Sequence, residues 1–502
     1  KLTPQLSSHS FFTLQLNITR NYLQKMVAGG EGTFTVTVTK IERVAAVLPS
    51  QEYWLPLSNL DLLLPPIDFG VFFCYTKPNY NEGNDGNNNN NGTTITKSWT
   101  FGSMVDALKE AAARSLVSYY AFAGEVVTNC VGEPELLCNN RGVDFSEAYA
   151  NVELKELNLY NPDQSVEGKL VPKKKDGVLA VQVTELKCGG IVVGCTFDHR
   201  VADAYSANLF LVSWAEMAQS KPMSVCPSFR RTLLNPRRPG RADPFLDTLY
   251  VPISSLPPPP NEAHANIVEP LVSRIYYIKA NELRELQELA SSNGTTSKRS
   301  KLEAFSAFLW KMVAKSAMAE ENGTVRMEKT AYMGIVVDGR SRLSEGSIEK
   351  RKLMTSYFGN VLSIPYGGKK ADELVENSLN WVANEVHNFL ENAVSEEHFL
   401  GMIDWVEAHR PDPAVAKIYL CGGSEDGPAF VVSSGQRFPV DKVDFGWGSP
   451  FFGSYHFPWG GSAGYVMPMP SPRGSGDWVV YMHLPRKELE MVEAEAAKIF
   501  RP

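Results

Sequence analysis

Along most of the chain, hydrophobic and polar residues follow either the two-residue period of a strand or the spacing of a helix. Threonine and apolar residues alternate over 33–39, which predicts a strand. Residues 178–186 alternate in the same way, whereas 190–197 are almost wholly apolar, as in a central strand that is buried on both faces. Apolar residues at helical spacing predict helices over 100–120 and 204–217. This part of the chain is therefore predicted to mix helices and strands.

The second half of the chain is also predicted to mix helices and strands, and a proline-rich segment separates it from the first half. Residues 221–270 are rich in proline, with four in a row at Pro257 to Pro260, which is typical of a long, stiff crossover linker. Beyond the linker, strands are predicted over 272–278, 332–338, 429–433 and 478–483, and helices over 281–290, 302–318 and 487–499. The pattern predicts two domains of similar size and mixed α/β class, over 33–220 and 271–502.

Three segments fall outside this periodic pattern. Residues 60–73 are apolar with two prolines and predict a buried loop that leads into a strand. Residues 79–94 are an asparagine and glycine tract that cannot bury a core, so we expect a surface loop or a disordered insert. Residues 1–32 are expected to be a disordered extension. They contain Ser and basic residues and no acidic residue before position 31, so a weak organellar transit peptide is the alternative.

Composition narrows the class of function. The 502 residues are 43% hydrophobic, which is enough for a sizeable core, and the net charge is −7 with a pI near 5.8. That balance argues against a nucleic-acid binder and against binding to an anionic membrane, and no apolar stretch reaches 18 residues. Seven scattered cysteines without a CxxC pair indicate neither a disulfide framework nor a zinc site. We expect a cytoplasmic monomer without metal or cofactor.

One pattern in the chain indicates a hydrolase. Residues 460–464 read GGSAG and match the GxSxG nucleophile elbow around Ser462, with Asp477 and His483 following in hydrolase order. The elbow requires a helix after the serine, but Pro468 and Pro470 follow it. A glycine-rich turn into a strand is the preferred interpretation, and the hydrolase stays as the alternative. The chain has no GxGxxG after a strand, no P-loop and no HExxH.

The strongest catalytic candidate is His199, which stands just beyond the apolar strand 190–197. Functional groups of α/β proteins are commonly placed at strand ends, and a histidine there can act as a general base. A structural, hydrogen-bonded histidine is the alternative. Asp203 follows four residues later and either orients His199 or caps the helix that begins at Ala204.

A helix N-terminus supplies a candidate anion site. Ser300 and Glu303 form a capping box, and Arg299 and Lys301 flank the serine. Helix N-termini with nearby cations bind phosphates, although an ordinary solvated cap is the more common arrangement. Residues 443–450, which read VDFGWGSP, predict tight turns packed under aromatic rings.

Two of these motifs together resemble a known family. His199-Arg200-Val201-Ala202-Asp203 and Asp444-Phe445-Gly446-Trp447-Gly448 match the HxxxD and DFGWG signatures of the BAHD acyl-CoA-dependent acyltransferases. Between them, in the family's order, lie Asp338-Gly339-Arg340-Ser341-Arg342 and Tyr357-Phe358-Gly359-Asn360. The resemblance covers about 34–500. The segments 54–65, 189–195 and 465–471 resemble members of the family that acylate coniferyl alcohol.

The resemblance implies a chloramphenicol-acetyltransferase-like fold, in which two similar domains, each a mixed sheet flanked by helices, enclose an active-site tunnel. His199 would be the catalytic base, and Asp444 is sometimes placed with the active site. Asp203, Arg340, Trp447 and Asn360 would support the site, with Asp203 paired to Arg340, and residues 441–462 would pack with the first domain. Arg299, Ser300 and Lys301 are candidates to bind the CoA phosphates.

Two departures from the family pattern affect these expectations. Ala204 follows HxxxD where glycine is usual, a small change. Gly435 stands where hydroxycinnamoyltransferases of the family carry a tryptophan that is implicated in holding the thioester oxyanion. A shikimate acceptor is therefore disfavoured, and Ser433 becomes a candidate oxyanion donor.

The expected reaction is acyl transfer from acetyl-CoA, or a similar acyl-CoA, to a phenylpropanoid alcohol such as coniferyl alcohol. The acyl-CoA is a co-substrate in this scheme. The alternatives are N-acyl transfer, hydroxycinnamoyl transfer, the Ser462 hydrolase and a non-catalytic binding protein.

Overall fold

The structure is a computed structural model that describes residues 34–48, 51–78, 99–256, 271–291, 298–318, 329–422, 427–474 and 476–500. Two six-stranded mixed sheets dominate the described residues. The first has the order β1-β6-β7-β8-β3-β17, in which only β6 and β7 run parallel. Its strands are β1 Val36–Val44, β3 Asp68–Tyr75, β6 Val143–Ala150, β7 Leu179–Leu186, β8 Ile191–Asp198 and β17 Phe452–His456.

The second sheet has the order β10-β19-β18-β16-β11-β14, with β16 parallel to both of its neighbours. Its strands are β10 Leu271–Ile278, β11 Thr330–Ile335, β14 Tyr366–Lys370, β16 Ala429–Val432, β18 Gly464–Pro470 and β19 Trp478–Pro485. Three smaller sheets are formed by β2 Tyr53–Pro56 with β5 Pro134–Cys138 and β4 Glu125–Thr128, by β9 Tyr250–Pro252 with β15 Ala414–Ala416, and by β12 Val337–Asp338 with β13 Leu362–Ser363.

Helices pack against both sheets. They are α1 Phe101–Ser118, α2 Pro162–Ser165, α3 Ala204–Ala218, α4 Leu246–Leu249, α5 Ala280–Ser291, α6 Lys301–Met318, α7 Ile348–Thr355, α8 Ala371–Glu376, α9 Leu379–Glu391, α10 Glu396–His409 and α11 Arg486–Ala496. Side chains cap the helices that lie nearest the site: Asp203 accepts from the Ser206 backbone N–H at 2.8 Å, and Ser300 and Glu303 form the predicted capping box. The predicted mixed α/β fold with two sheet domains is confirmed.

Successive residues along the strands of the second sheet lie alternately in two separate hydrophobic cores. Val431 pairs with Tyr465, and both belong to the large apolar cluster that reaches the first sheet. Val432 and Val466, the next pair along, belong to the cluster on the opposite face. Because successive strand residues point to opposite faces, residues 431, 433 and 465 point towards the first sheet.

The described part of the crossover is more than a plain linker, because it pairs with other segments. Residues 221–256 run along the second half of the chain, where Ser228 bridges to Tyr357 and strand β9 pairs with β15. The four prolines from Pro257 lie outside the described residues, as do 1–32 and 79–94. Strand β17 lies late in the chain and pairs with β3, so the segment 441–462 contributes the sixth strand of the first sheet.

Candidate active site

A cavity of about 810 Å³ lies between the two sheets, and His199 is on its wall. The first half of the chain contributes Ile67 and Tyr205 to the wall, and the second half contributes Ile335, Ser433 and Tyr465. The wall is mostly apolar, and polar side chains are interspersed along it. A cavity of this size suits an organic substrate with a few polar groups that fix its orientation.

His199 is held by its backbone at the end of β8. Its N–H donates to the Ile67 carbonyl at 2.9 Å, and its own carbonyl accepts from the Asn360 side chain at 2.9 Å. Nδ1 is shielded from solvent, which leaves Nε2 as the nitrogen open to a reactant. Burial lowers the pKa of His199 below 6.5, and its own carbonyl and Asp203 offset only part of that change. The imidazole is therefore neutral near pH 7, as a general base must be.

A buried carboxylate that sequence reasoning missed holds Asn360. Asp61 is fully buried, and its Oδ1 accepts from the Asn360 backbone N–H at 2.7 Å and from Asn360 Nδ2 at 2.9 Å. The other oxygen accepts from the backbone and the hydroxyl of Ser58. The signal was a carboxylate inside the apolar run 60–73, where a buried charge needs partners. Asn360 thus links Asp61 to the backbone of His199.

Asp203 is paired with Arg340. Nη1 of Arg340 lies 2.8 Å from Asp203 Oδ2 and 3.1 Å from Asp338 Oδ1, and Nη2 donates to the Gly359 carbonyl at 2.8 Å. Burial alone would lower the pKa of Arg340, but Asp203 and Asp338 raise it above its usual value. Of the two roles considered for Asp203, the structure shows the helix cap, together with the pair to Arg340.

Gly435 has no space for a side chain. A Cβ built there would lie 2.6 Å from Met467 Sδ and 2.6 Å from the Pro468 carbonyl oxygen. Even a small side chain would require this strand to shift. Ser433, two residues earlier, lines the cavity and is buried.

Asp444 is not among the residues that line the cavity with His199, so the expectation that it belongs with the catalytic residues is corrected. Its Oδ1 accepts from the backbone N–H groups of Gly446 and Gly448 at 2.8 and 3.0 Å. These bonds satisfy a tight turn and leave the carboxylate within the loop. Trp447 packs edge-on against Trp99 at 5.2 Å, which attaches the same loop to the first domain.

Of the three candidate phosphate-binding residues, only Ser300 lines the cavity. Arg299 is 8% exposed, and its guanidinium donates to Asn384 Oδ1 at 2.9 and 3.1 Å. The expectation for Arg299 is therefore corrected, because a capping box fixes where a helix begins but not where a flanking side chain points. Lys301 is partly exposed outside the cavity wall.

The hydrolase constellation is not assembled. Ser462 donates to the carbonyls of Tyr419 and Cys421, Asp477 accepts from the Ala280 N–H at 2.7 Å, and His483 Nδ1 lies 3.0 Å from Ser273 Oγ. The three side chains thus have separate partners. The glycine-rich turn leads into strand β18, as predicted.

Two mixed sheets with a histidine at a strand end, on the wall of the cavity between them, match the chloramphenicol-acetyltransferase-like fold expected from the sequence. A model of the Transferase family matches residues 34–91 and 92–499. The chain belongs to that family, the BAHD acyl-CoA-dependent acyltransferases.

Two relatives and one solved structure show the kinds of protein that this chain resembles. A shikimate O-hydroxycinnamoyltransferase from Nicotiana tabacum is 26% identical, and the match covers 89% of this chain and 96% of that protein. An anthranilate N-benzoyltransferase from Dianthus caryophyllus is 27% identical, over 88% and 94%. The structure of F. sporotrichioides TRI101 complexed with coenzyme A and T-2 is 15% identical, covers 89% of this chain and 99% of that chain, and has a TM-score of 0.67, which supports the fold.

Among the described residues, every helix is too short or too polar to span a bilayer. Within the same residues, no group of three or more His, Cys, Asp or Glu side chains could hold a metal ion.

Proposed function

We propose that the protein transfers an acetyl or similar short acyl group from acyl-CoA to the hydroxyl of a phenylpropanoid alcohol such as coniferyl alcohol. The observation that carries this proposal is the aromatic lining of the cavity that holds His199. The wall includes the aromatic rings of Tyr250, Tyr419, Phe457 and Tyr465 beside aliphatic Ile67 and Ile364. An aromatic alcohol can bury its ring against such a wall.

The reaction needs no covalent enzyme intermediate. His199 takes the proton of the acceptor hydroxyl as the oxygen attacks the thioester carbonyl, so a C–O bond forms and the carbonyl oxygen becomes an oxyanion. Collapse of the tetrahedral intermediate breaks the C–S bond. The CoA thiolate leaves and takes a proton from the imidazolium, which restores neutral His199.

The phosphates of the donor need cations, and the corrected position of Arg299 removes one candidate. Arg342, Arg437 and Lys442 line the cavity and are three further cations. We assign the CoA phosphates to these cations together with Ser300. In this assignment Arg437 binds the phosphates of the acyl-CoA donor and not the carboxylate of an acceptor such as shikimate.

Steady-state kinetics on the full chain would test this function. Coniferyl alcohol with acetyl-CoA is compared with shikimate plus p-coumaroyl-CoA and with anthranilate plus benzoyl-CoA, with CoA release and product identity as readouts. We expect the highest kcat/KM for coniferyl alcohol. A higher value for shikimate or for the amine would replace the substrate assignment.

A further inference from the structure

The acyltransfer mechanism proposed above requires a hydrogen-bond donor for the thioester oxyanion, and Gly435 has no side chain to supply one. Met467 Sδ and the Pro468 carbonyl oxygen already fill the space where a side chain at position 435 would begin. Another donor on the cavity wall near His199 would have to take this role.

Tyr465 lies beside His199 on the cavity wall. It lies on β18, directly opposite Val431, so its side chain points to the same face of the sheet as Ser433 at the end of the neighbouring strand. Tyr465 lines the main cavity and also an adjoining small pocket whose wall includes His199 and Phe457. Its ring packs edge-on against Phe457 at 4.8 Å, and the Phe457 ring lies 6.3 Å from that of His199.

The Tyr465 hydroxyl keeps its proton and is tuned by Ser433. Burial raises the pKa of Tyr465 to about 12, so the hydroxyl keeps its proton near pH 7, where His199 is neutral. Ser433 lines the same cavity and lowers that pKa in part. A tyrosine polarised in this way is a stronger donor to a developing negative charge.

We propose that Tyr465 is the oxyanion donor of this enzyme: its hydroxyl donates to the thioester oxygen as the tetrahedral intermediate forms, and Ser433 acts through Tyr465 as a positioning residue. The proposal rests on the acyltransfer function above and holds for any alcohol or amine acceptor. It makes Tyr465 a catalytic residue that no motif in the chain indicates.

The test compares Tyr465→Phe, Ser433→Ala and the double variant with the wild type, on whichever acceptor the wild type uses best. Tyr366→Phe is the control, since that hydroxyl binds the Thr248 carbonyl outside the cavity wall. We expect Tyr465→Phe to lower kcat roughly 10²–10³-fold with each KM within about threefold, because the lost interaction exists mainly in the transition state. Ser433→Ala should lower kcat about 5–20-fold, and the double variant should match Tyr465→Phe alone.

Three results would overturn the proposal. They are a kcat for Tyr465→Phe within about twofold of the wild type, an effect confined to KM for the acceptor, and a loss in Ser433→Ala that exceeds the loss in Tyr465→Phe. Thermal unfolding of each variant separates these effects from misfolding. A wild type that prefers another acceptor changes the substrate assignment and leaves this comparison intact, whereas a wild type that transfers no acyl group overturns both proposals.

Discussion

Arg340 and Asp203 form a buried pair that joins the two halves of the chain, with Nη1 2.8 Å from Oδ2 and Nη2 3.2 Å from Oδ1. Their side chains are 4% and 0% exposed. Asp203 begins helix α3, and Arg340 follows strand β12. The pair therefore holds the segment after His199 against the opposite domain.

We expect Asp203→Ala and Arg340→Ala each to lower the free energy of unfolding by about 3–5 kcal/mol, because Arg340→Ala leaves Asp203 without its cation and Asp203→Ala leaves Arg340 with Asp338 as its remaining charge partner. The double variant should be no worse than either single one, as urea unfolding would measure. Lys315→Ala is the matched control: its pair with Glu495 is 38% and 43% exposed and should contribute less than about 1 kcal/mol. Additive losses would show that Asp203 and Arg340 do not interact.

Replacing His199 with Ala should lower kcat roughly 10²–10⁴-fold while the protein remains folded, because the general base is lost. Steady-state kinetics with circular dichroism checks both points. His409→Ala is the control, since His409 packs at a tilt against Trp405, with a centroid distance of 4.1 Å, outside the cavity wall. A near-normal kcat in His199→Ala would exclude the proposed mechanism.

The pH profile follows from the same residue. Burial lowers the pKa of His199 below 6.5, and the base acts only when it is neutral. The wild type should therefore keep its kcat/KM as pH falls through 6.5 and lose it only below that value. An acidic inflection above 6.5 would contradict the burial argument.

Asn360→Ala should lower kcat about tenfold with little change in either KM, because it frees the His199 carbonyl and leaves Asp61 with fewer donors. Asn380→Ala provides a control of the same chemistry, since its amide donates to the Ala290 carbonyl at 2.7 Å. Equal kinetic losses in the two variants would indicate a general loss of stability and no role in positioning His199.

Stability should fall in mild acid because of a buried histidine. Burial and the neighbouring His456 lower the pKa of His483 to about 3, so the folded state leaves it neutral where the unfolded state takes up a proton. The free energy of unfolding should therefore decrease as pH falls from 6.5 towards 3, by up to about 1.4 kcal/mol per pH unit from this group. His483→Gln should flatten the dependence and His409→Gln should preserve it, as measured by urea unfolding at pH 7, 6 and 5.

Much of the fold could be predicted from the sequence, because strands and helices with buried faces carry their period in the residues. The strand 190–197 and the histidine after it were located in this way, and β8 spans Ile191–Asp198. The direction in which a side chain points could not be predicted in this way, because it depends on partners that lie far away in the sequence. Arg299 turns to Asn384, and Asp61 binds Asn360 across 299 residues, which no local pattern encodes. Tyr465 could not be placed from the sequence for the same reason, because its position opposite Val431 depends on the order of the strands in the sheet.

Strand β17 has a consequence for how this chain is made. The first sheet keeps β3 as an unpaired apolar edge until residues 452–456 have been synthesised, although the strands that precede it are complete by residue 198. An exposed edge of this kind recruits other strands. The amino-terminal half should therefore stay open to chaperones on the ribosome until residues 452–456 have emerged, and expression of residues 1–256 alone should give aggregates rather than a stable half-enzyme.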